Sequence, residues 1–454
     1  MTSVLMKGVS GIRGVVGETL TPDLICTVGS AFALYAGRGR VVIGRDTRPS
    51  GPAIEKGLES SLLLSGCSVI RLGAVPTPTL QVMVEETKAD GGIMISASHN
   101  PIEWNAFKLV GRRGCFLTSK EINDFFKMMD LPFEYPPWDG IGVVTQESSV
   151  AEETHLRKIL SVIDVDRIRK RAFRVVLDSV NGAGSRLTLR LLDKLGCSVV
   201  PIHCEMSGLF PRGAEPVPEN LTDLSRVVKE ENAGIGFAQD PDADRLAIVD
   251  EQGTPIGEEY TIALVTDHQL SKRSGRVVIN QSTTKAVDDI AMRYGAPIAR
   301  TRVGEINVVE EMMRHGARIG GEGNGGVISP EVHMGRDSLV GIAYILEMLA
   351  TRGGTVSELV GTLPRYSMKK GKLELPGGVM DESVLGRLAS EYRSQKTSRI
   401  DGLRIEFIDH DRFEGAWVHM RPSNTEPIFR IIAEGKDPEQ AAGVYEFFER
   451  VITG

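Results

Sequence analysis

The sequence predicts an α/β protein with three related α/β domains, each built on a mixed, mainly parallel sheet, and a C-terminal α+β domain. Three observations predict this class: an internal repeat, a change of pattern after about residue 365, and 50 glycines in a chain of 454 residues. Glycine exceeds its usual share of about 7% but shows no collagen-like period. We therefore expect the glycines in turns and ligand loops, where the backbone approaches another group closely.

Each copy of the repeat contains three strand-forming segments. A β-branched run opens the copy, a helix-compatible stretch follows, and a second strand candidate begins after a glycine. Another helix-compatible stretch leads to a third, apolar or glycine-rich run. This order is typical of parallel α/β units whose helices cover both faces of a sheet. In the three copies, the first strand is predicted at 40–46, 174–179 and 276–282. The second strand is predicted at 66–70, 196–200 and 295–299, and the third at 91–98, 233–240 and 317–323.

The last part of the chain has a different organisation. Strand and helix candidates still alternate after about residue 365, but the earlier order does not recur. This pattern favours a smaller α+β domain. The predicted domains are 1–150, 151–255, 256–365 and 366–454.

Charge and cysteine usage exclude several classes of protein. A net charge of −7 has the wrong sign for a protein that binds nucleic acid or an anionic membrane. No apolar run approaches the roughly 18 residues of a membrane span, and the first residues lack the apolar core of a signal peptide. We expect a cytoplasmic protein. Cysteines in odd number without a C-x-x-C pair predict buried thiols of a reducing compartment: Cys26, Cys67, Cys115, Cys197 and Cys204.

The third strand of each repeat leads into a chemically distinctive loop. The loops read SASHNP (96–101), QDPDADR (239–245) and GGEGNGG (320–326). Ligands of parallel α/β sheets bind beyond the carboxyl ends of the strands. The sequence therefore predicts that these loops form the functional edge of each domain.

The second loop predicts a magnesium site. Its carboxylates, Asp240, Asp242 and Asp244, stand at alternate positions and repel one another unless a cation lies among them. Oxygen ligands suit Mg²⁺, and the neighbouring Arg245 offers a phosphate contact. An acidic surface turn is the alternative interpretation. An EF-hand is unfavoured because its glycine and final glutamate are missing.

The first loop contains a candidate nucleophile, Ser98, beside His99. A serine here could carry a phosphoryl group, and a polar turn or helix cap is the alternative interpretation of this stretch. Lys108, ten residues further along, is a candidate cation or acid near that group. Arg13, in the glycine-rich stretch SGIRG, is a candidate phosphate contact, whereas Arg45 and Arg48 are expected to form structural salt bridges.

Two further stretches suit a sugar phosphate. Glu322 and Asn324 could bind sugar hydroxyls, with a flexible glycine turn as the alternative. The stretch RPSNTEP (421–427) offers a cation, hydroxyls and backbone amides for a phosphate dianion, with a plain β-turn as the alternative. Its candidate residues are Arg421, Ser423, Asn424 and Thr425.

Taken together and in order, these motifs resemble the α-D-phosphohexomutase family over the whole chain. The resemblance also covers GRDTRPSG (44–51) and FPRGAEPVPENL (210–221). It implies four domains around one cleft, with the fourth as a lid. It also implies a phosphoserine at Ser98, and Mg²⁺ held by Asp240, Asp242, Asp244 and an oxygen of the phosphoserine.

The resemblance assigns the other candidates as well. His99, Lys108, Arg13 and Arg245 would line the transfer site, Glu322 and Asn324 would bind sugar hydroxyls, and Arg421, Ser423, Asn424 and Thr425 would hold the non-reacting phosphate. The implied reaction converts hexose 6-phosphate into hexose 1-phosphate through a hexose 1,6-bisphosphate, which serves as intermediate and activator.

The sugar loop departs from many mannose/glucose mutases of the family. Asn324 and Gly326 replace their serine and histidine, and Glu305 follows a glycine where they tend to have histidine. A carboxylate at Glu305 could pair with a 2-ammonium group, which favours glucosamine phosphate, with mannose/glucose phosphate as the alternative. Ala106 stands where the family usually has glycine. A Mg²⁺-dependent sugar-phosphate phosphatase and a non-catalytic sensor are the alternatives of another class, and oligomeric state is not predicted.

Overall fold

The protein is described by a computed structural model that covers residues 5–373, 382–422 and 428–453. The first domain has a seven-stranded sheet in the order β1-β2-β6-β5-β3-β4-β7. Its elements are β1 (Met6–Gly8), β2 (Gly11–Val15), α1 (Pro22–Tyr35), β3 (Arg40–Arg45), α2 (Gly51–Leu64), β4 (Ser68–Ala74), α3 (Thr77–Glu86), β5 (Gly91–Ile95), β6 (Trp104–Gly111), α4 (Ser119–Met129) and β7 (Val144–Gln146).

The second and third domains each have a four-stranded sheet, in the orders β11-β10-β8-β9 and β13-β12-β14-β15. The second contains α5 (Ser148–Leu160), α6 (Val165–Arg169), β8 (Arg174–Asp178), α7 (Gly184–Lys194), β9 (Ser198–Ile202), α8 (Thr222–Glu230), β10 (Ile235–Gln239) and β11 (Leu246–Val249). The third contains α9 (Glu259–Lys272), β12 (Val277–Asn280), α10 (Ala286–Arg293), β13 (Ile298–Thr301), α11 (Glu305–His315), β14 (Ile319–Glu322), β15 (Gly326–Ile328), α12 (Ser338–Arg352) and α13 (Val356–Gly361).

The predicted repeat is present in all three sheets. The first strand of each repeat pairs in parallel with the second and with the third. A further strand, which the sequence analysis did not predict, then pairs antiparallel with the third strand. Each predicted functional loop is therefore the turn of an antiparallel hairpin at the carboxyl edge of its sheet.

The described residues of the fourth domain form an antiparallel sheet with two helices, as its predicted α+β class requires. The sheet order is β16-β20-β19-β18-β17. The elements are β16 (Ser367–Leu373), α14 (Glu382–Glu391), β17 (Lys396–Ser398), β18 (Leu403–Glu406), β19 (Trp417–Pro422), β20 (Phe429–Gly435) and α15 (Pro438–Thr453). The predicted fold class is confirmed. The domain boundaries stay predictions, and the one at residue 150 falls inside α5.

The second and third domains share one apolar core, whereas the fourth domain has a core of its own. One buried cluster includes Leu191 and Phe237 of the second domain together with Ile279 and Leu346 of the third. The fourth domain has a separate cluster, centred on its own sheet. The second and third domains thus form one packed base, whereas the fourth is a separate body beside it.

The prediction of five buried thiols is wrong for three of them. All five cysteines are free, but only Cys67 and Cys115 are buried. Cys26 is exposed because it lies on the outer face of α1, between buried Ile25 and Val28. Cys197 and Cys204 are half-buried. Over the ranges that the structure covers, no helix is both long and apolar enough to cross a membrane.

Candidate active site

All four domains contribute to one cavity of about 350 Å³, which is within the usual size range of small-molecule sites. Most predicted site residues line it: Arg13, Ser98, His99, Lys108, Arg245, Glu305, Glu322, Asn324 and Arg421. Asp240, Asp242 and Asp244 lie fully buried directly behind this lining, in contact with Ser98 and Lys108. Ser423, Asn424 and Thr425 lie outside the described residues.

Ser98 lies in the hairpin turn between β5 and β6 and faces the acidic loop of the second domain. Its Oγ donates a hydrogen bond of 2.7 Å to Asp240 Oδ2. Its backbone has a φ of +49°, a region that non-glycine residues seldom occupy. Such conformations persist only where the surroundings impose them, and they concentrate at functional sites.

Arg48 imposes this conformation on the loop. Its guanidinium is fully buried and donates to the carbonyls of Ser98, Asn100, Pro101 and Trp104 at 2.7, 2.6, 2.6 and 3.1 Å. The predicted salt bridges are present, between Arg48 and Asp46 and between Arg45 and Glu55. Arg48 thus holds the serine loop in place, a role beyond the predicted salt bridge.

The acidic triad, Asp240, Asp242 and Asp244, has the donor set of a hard cation. One carboxylate oxygen from each residue lies within 4.8 Å of the others. Burial, and then repulsion from Asp244 and Asp242, raise the pKa of Asp240 well above its usual value. Asp242 Oδ1 and Asp244 Oδ1 accept no hydrogen bond from the described residues. These buried, oxygen-only ligands fit Mg²⁺.

Lys108 belongs to the same cluster. Its Nζ lies 2.5 Å from Asp242 Oδ2 and 3.3 Å from Asp244 Oδ2. Burial alone would lower the pKa of Lys108, but Asp242 and Asp244 more than offset it and raise that pKa above its usual value. Thr77 of α3, which the sequence analysis missed, also donates to Asp242 Oδ2. Lys108 therefore stays cationic beside the triad.

Three nitrogen-bearing side chains, those of Arg13, His99 and Arg245, line the same cavity as Ser98. Arg13 donates to Asn100 Oδ1 at 2.7 Å, and Arg245 donates to Glu215 Oε1 at 2.8 Å. Burial, followed by the charges of Arg245 and Arg13, lowers the pKa of His99 well below its usual value. A neutral imidazole thus lies beside two guanidinium groups, an arrangement that suits an anionic phosphate.

The sugar loop is connected to the metal loop by Arg336, which the sequence analysis missed. Its guanidinium donates to Glu322 Oε2 at 2.7 Å, to Asp244 Oδ2 at 2.7 Å and to Glu305 Oε2 at 3.1 Å. Arg336 lies in the turn just before α12. The local sequence shows only an arginine next to an aspartate before an apolar helix. The three carboxylates that Arg336 binds come from loops that are distant in the sequence.

The carboxylates predicted to bind sugar are already hydrogen bonded within the protein. Glu322 Oε1 accepts from the Gly304 amide at 2.9 Å and from Asn280 Nδ2 at 2.8 Å. Glu305 Oε1 accepts from Gln81 Nε2 at 2.9 Å, and burial raises the pKa of Glu305 to about 7. Asn324 Oδ1 accepts from the Gly326 amide at 3.2 Å.

Arg421 is the described part of the predicted phosphate loop. It is buried on β19 and lines the cavity. Its Nη1 donates to the Pro422 carbonyl at 2.9 Å, and its Nε lies 3.8 Å from Asp401 Oδ2. Arg421 is therefore a cation that the fourth domain contributes to the cavity lining.

Comparison with known proteins identifies the family. The four domain models of phosphoglucomutase/phosphomannomutase match in order: the alpha/beta/alpha domains I, II and III at 5–130, 153–253 and 257–366, and the C-terminal domain at 377–451. A probable phosphoglucosamine mutase of Methanopyrus kandleri is 36% identical over 98% of this chain and 97% of its own length. A phosphoglucomutase/phosphomannomutase of Thermococcus kodakarensis is 39% identical over 96% of this chain and 95% of its own.

A solved structure agrees with these matches. The phosphoglucomutase/phosphomannomutase family protein of Burkholderia thailandensis has a TM-score of 0.84 and 27% identity, covering 98% of this chain and 96% of its own. The resemblance inferred from the motifs is confirmed. The chain belongs to the phosphoglucomutase/phosphomannomutase family, and it is an isomerase of the phosphohexomutase type.

Proposed function

We propose that this enzyme interconverts hexose 6-phosphate and hexose 1-phosphate through phospho-Ser98 and a hexose 1,6-bisphosphate. The observation that carries the proposal is the 2.7 Å hydrogen bond from Ser98 Oγ to Asp240 Oδ2. It brings a hydroxyl nucleophile of the first domain to the acidic triad of the second, at the wall of a cavity lined by all four domains.

In the proposed step the phosphoryl group passes from Ser98 Oγ to the free hydroxyl oxygen of a sugar monophosphate. The bond from phosphorus to the serine oxygen breaks as the bond to the sugar oxygen forms, and the proton of that hydroxyl ends on the serine oxygen, which becomes the free Ser98 hydroxyl. The resulting bisphosphate turns around in the cavity, and its other phosphoryl group returns to Ser98. The net result is transfer between the C1 and C6 oxygens of the sugar.

Positioning and charge neutralisation carry most of phosphoryl-transfer catalysis. Arg13 and Arg245 supply cationic donors beside Ser98, and Lys108 adds a buried charge next to the triad. Neutral His99, whose Nδ1 has no hydrogen-bond partner among the residues described, is placed to accept a hydrogen bond from the sugar hydroxyl. Held by Asp240, Asp242 and Asp244, Mg²⁺ would neutralise charge that develops on the phosphoryl oxygens.

The fourth domain suits the role of a lid. It meets the packed base mainly through polar contacts, such as Lys370 Nζ with Glu259 Oε1 at 2.8 Å and Ser282 Oγ with His419 Nδ1 at 2.9 Å. Such contacts exchange more readily with water than an apolar core does. Closure would exclude the water that otherwise hydrolyses a phosphoserine.

For the sugar we favour glucosamine phosphate. Glu305 lines the cavity, and an ammonium group at C2 of the sugar would favour its ionised form. Mannose/glucose phosphate is the second candidate, because Arg336 already pairs with Glu305 Oε2 and competes with a substrate ammonium. Comparing kcat/KM for glucosamine, mannose and glucose phosphates decides between them.

Replacement of the serine tests the reaction. We expect Ser98→Ala to lose mutase turnover, whereas Ser161→Ala, which alters an exposed serine at the end of α5, should behave as wild type. Normal mutase rates in Ser98→Ala would contradict the proposal. Steady release of inorganic phosphate without a response to added 1,6-bisphosphate would favour the phosphatase instead, and binding without turnover would favour the sensor.

A further inference from the structure

A second cluster of metal-ligating side chains lies outside the cavity lining. It consists of His155 on α5, His333 in the turn before α12, and Asp337 at the N-cap of α12. All three side chains are almost completely buried, and one ligand atom from each lies within 4.8 Å of the others. No step of the proposed reaction uses them.

His155 and Asp337 have the orientation that metal ligands need. His155 Nε2 lies 2.8 Å from Asp337 Oδ2, while its Nδ1 lies 2.9 Å from Thr79 Oγ1. A hydrogen bond from the second ring nitrogen to an oxygen is the usual way in which a protein fixes a ligating imidazole. Asp337 Oδ1 accepts the amides of Leu339 and Val340, which leaves Oδ2 facing the histidines.

His333 is the unusual member. It is 3% exposed, yet within the described chain neither of its ring nitrogens has a hydrogen-bond partner. Its Nε2 lies 3.3 Å from Asp337 Oδ2, the oxygen that His155 also contacts. Buried polar groups are nearly always satisfied, because an unmet one is costly.

We propose that His155, His333 and Asp337 bind one divalent transition-metal ion of the zinc type. Zinc holds nitrogen and oxygen ligands at about 2.0–2.2 Å, so two ligands of a tetrahedral ion lie about 3.3 Å apart. The pair of His333 Nε2 and Asp337 Oδ2 has this separation, and the pair of His155 Nε2 and Asp337 Oδ2 would widen by about 0.5 Å from its hydrogen-bonded distance.

The ligand chemistry distinguishes this ion from magnesium. Imidazole nitrogens suit zinc and neighbouring transition metals, whereas carboxylate oxygens alone suit Mg²⁺. The three side chains fill three tetrahedral positions and leave one for water. The bound ion would connect α5 to the residue next to Arg336, and would thereby fix the turn that carries the guanidinium between Asp244, Glu305 and Glu322.

The test loads the full-length protein with Zn²⁺, removes free metal, and records metal content together with zinc-edge X-ray absorption. We expect one zinc per chain with the scattering signature of imidazole ligands. His333→Gln should lose that zinc and its signature, whereas His315→Gln, which alters an exposed histidine, should keep both. Asp240→Asn should also keep the imidazole-bound zinc, since it changes only the acidic triad.

Several results would overturn the proposal. These are wild-type protein that takes up no zinc, zinc with oxygen ligands only, or imidazole-bound zinc that persists in His333→Gln. If the variant fails to fold, the presence or absence of imidazole ligands in the zinc-edge spectrum of the wild-type protein still tests the proposal. Because these readouts do not depend on turnover, they are independent of the mutase proposal.

Discussion

The two sides of the cavity handle their buried carboxylates in opposite ways. On the reaction side, Asp240, Asp242 and Asp244 stand together, and oxygens of two of them accept no hydrogen bond from the described residues. On the recognition side, Glu305 and Glu322 are both held by Arg336. Lys108 pairs with Asp242 and Asp244, and Arg336 also reaches Asp244, so that Asp240 is the carboxylate of the reaction side that has no ion pair among the described residues. Both carboxylates of the recognition side, in contrast, pair with Arg336.

This difference has a physical consequence. A cluster of buried carboxylates gains when a cation arrives, so the reaction side is prepared for an external metal ion. A carboxylate that already pairs with an arginine is stabilised little by a second cation. A sugar must therefore replace hydrogen bonds that Arg336 makes, or bind beside Arg336. Removing charge should therefore have opposite effects on the stability of the two sides.

The largest effect is expected at the reaction side. Asp240→Asn should lower kcat by about 1000-fold, because charge stabilisation by a bound metal ion is worth several kcal/mol. The same change should leave the free energy of unfolding in metal-free buffer unchanged or increased, because burial and carboxylate repulsion already raise the pKa of Asp240. Steady-state kinetics and urea denaturation measure the two effects.

An exposed aspartate provides the control for that variant. Asp223→Asn, on the surface of α8, should change neither quantity. A marked loss of stability in Asp240→Asn without metal would show that the protein already compensates the charge of Asp240, and would remove the basis of the comparison.

Arg336→Gln is expected to give the next largest effect, on stability. It leaves Asp244, Glu305 and Glu322 buried without their shared cation, and breaking a buried ion pair from one side costs about 3 kcal/mol. Arg336→Lys should recover only part of this, because an ammonium group cannot reproduce the planar fork. Unfolding free energies equal to wild type in both variants would contradict the account.

The third prediction concerns the pH dependence of Glu305. Burial raises the pKa of Glu305 to about 7, so this carboxyl is mostly protonated at pH 6 and mostly ionised at pH 8. If it pairs with a substrate ammonium, the ratio of wild-type to Glu305→Gln kcat/KM for glucosamine 6-phosphate should rise about tenfold over that interval, equivalent to about 1.4 kcal/mol. The ratio for mannose 6-phosphate should stay flat. Two flat ratios would remove the ammonium argument.

The smallest effect is expected at the lid. Lys370 pairs with Glu258 and Glu259 across the cleft but is partly exposed, so its ion pairs are worth no more than about 1 kcal/mol. Lys370→Gln should raise KM up to about fivefold with little change in kcat. Lys369→Gln, which removes an exposed pair with Glu446, is the matched control. A loss of kcat equal to that of Asp240→Asn would mean that Lys370 belongs to the reaction side.

The same contrast explains what sequence reasoning could find. The reaction side is made of local motifs: the spacing of the three aspartates and the position of Ser98 place them on two hairpin turns. The repeated strands could be predicted equally well, because a β-branched run marks the first strand of each repeat and the second strand begins after a glycine. Two of the antiparallel partners, β11 and β15, were missed because they are short, with four and three residues, and follow directly on polar loops. The third, β6, has eight residues, so its length does not explain why it was missed.

Arg336 could not be found in this way. Its partner Asp244 is 92 positions away in the sequence, and no local pattern indicates that one arginine joins three loops. Cys26 shows a similar limit, since cysteine composition does not reveal which face of a helix a residue occupies. The assignment of Ser423, Asn424 and Thr425 rests on the RPSNTEP stretch and the family resemblance, and it stays a prediction.

The proposed reaction depends on Ser98 as the carrier of the transferred phosphoryl group. The most direct measurement incubates the enzyme with Mg²⁺ and hexose 1,6-bisphosphate and then maps phosphate by peptide mass spectrometry. We expect one phosphate per chain, located on Ser98 and discharged when hexose monophosphate is added. Sustained mutase turnover with no phosphate on Ser98, or with phosphate on another residue, would contradict it.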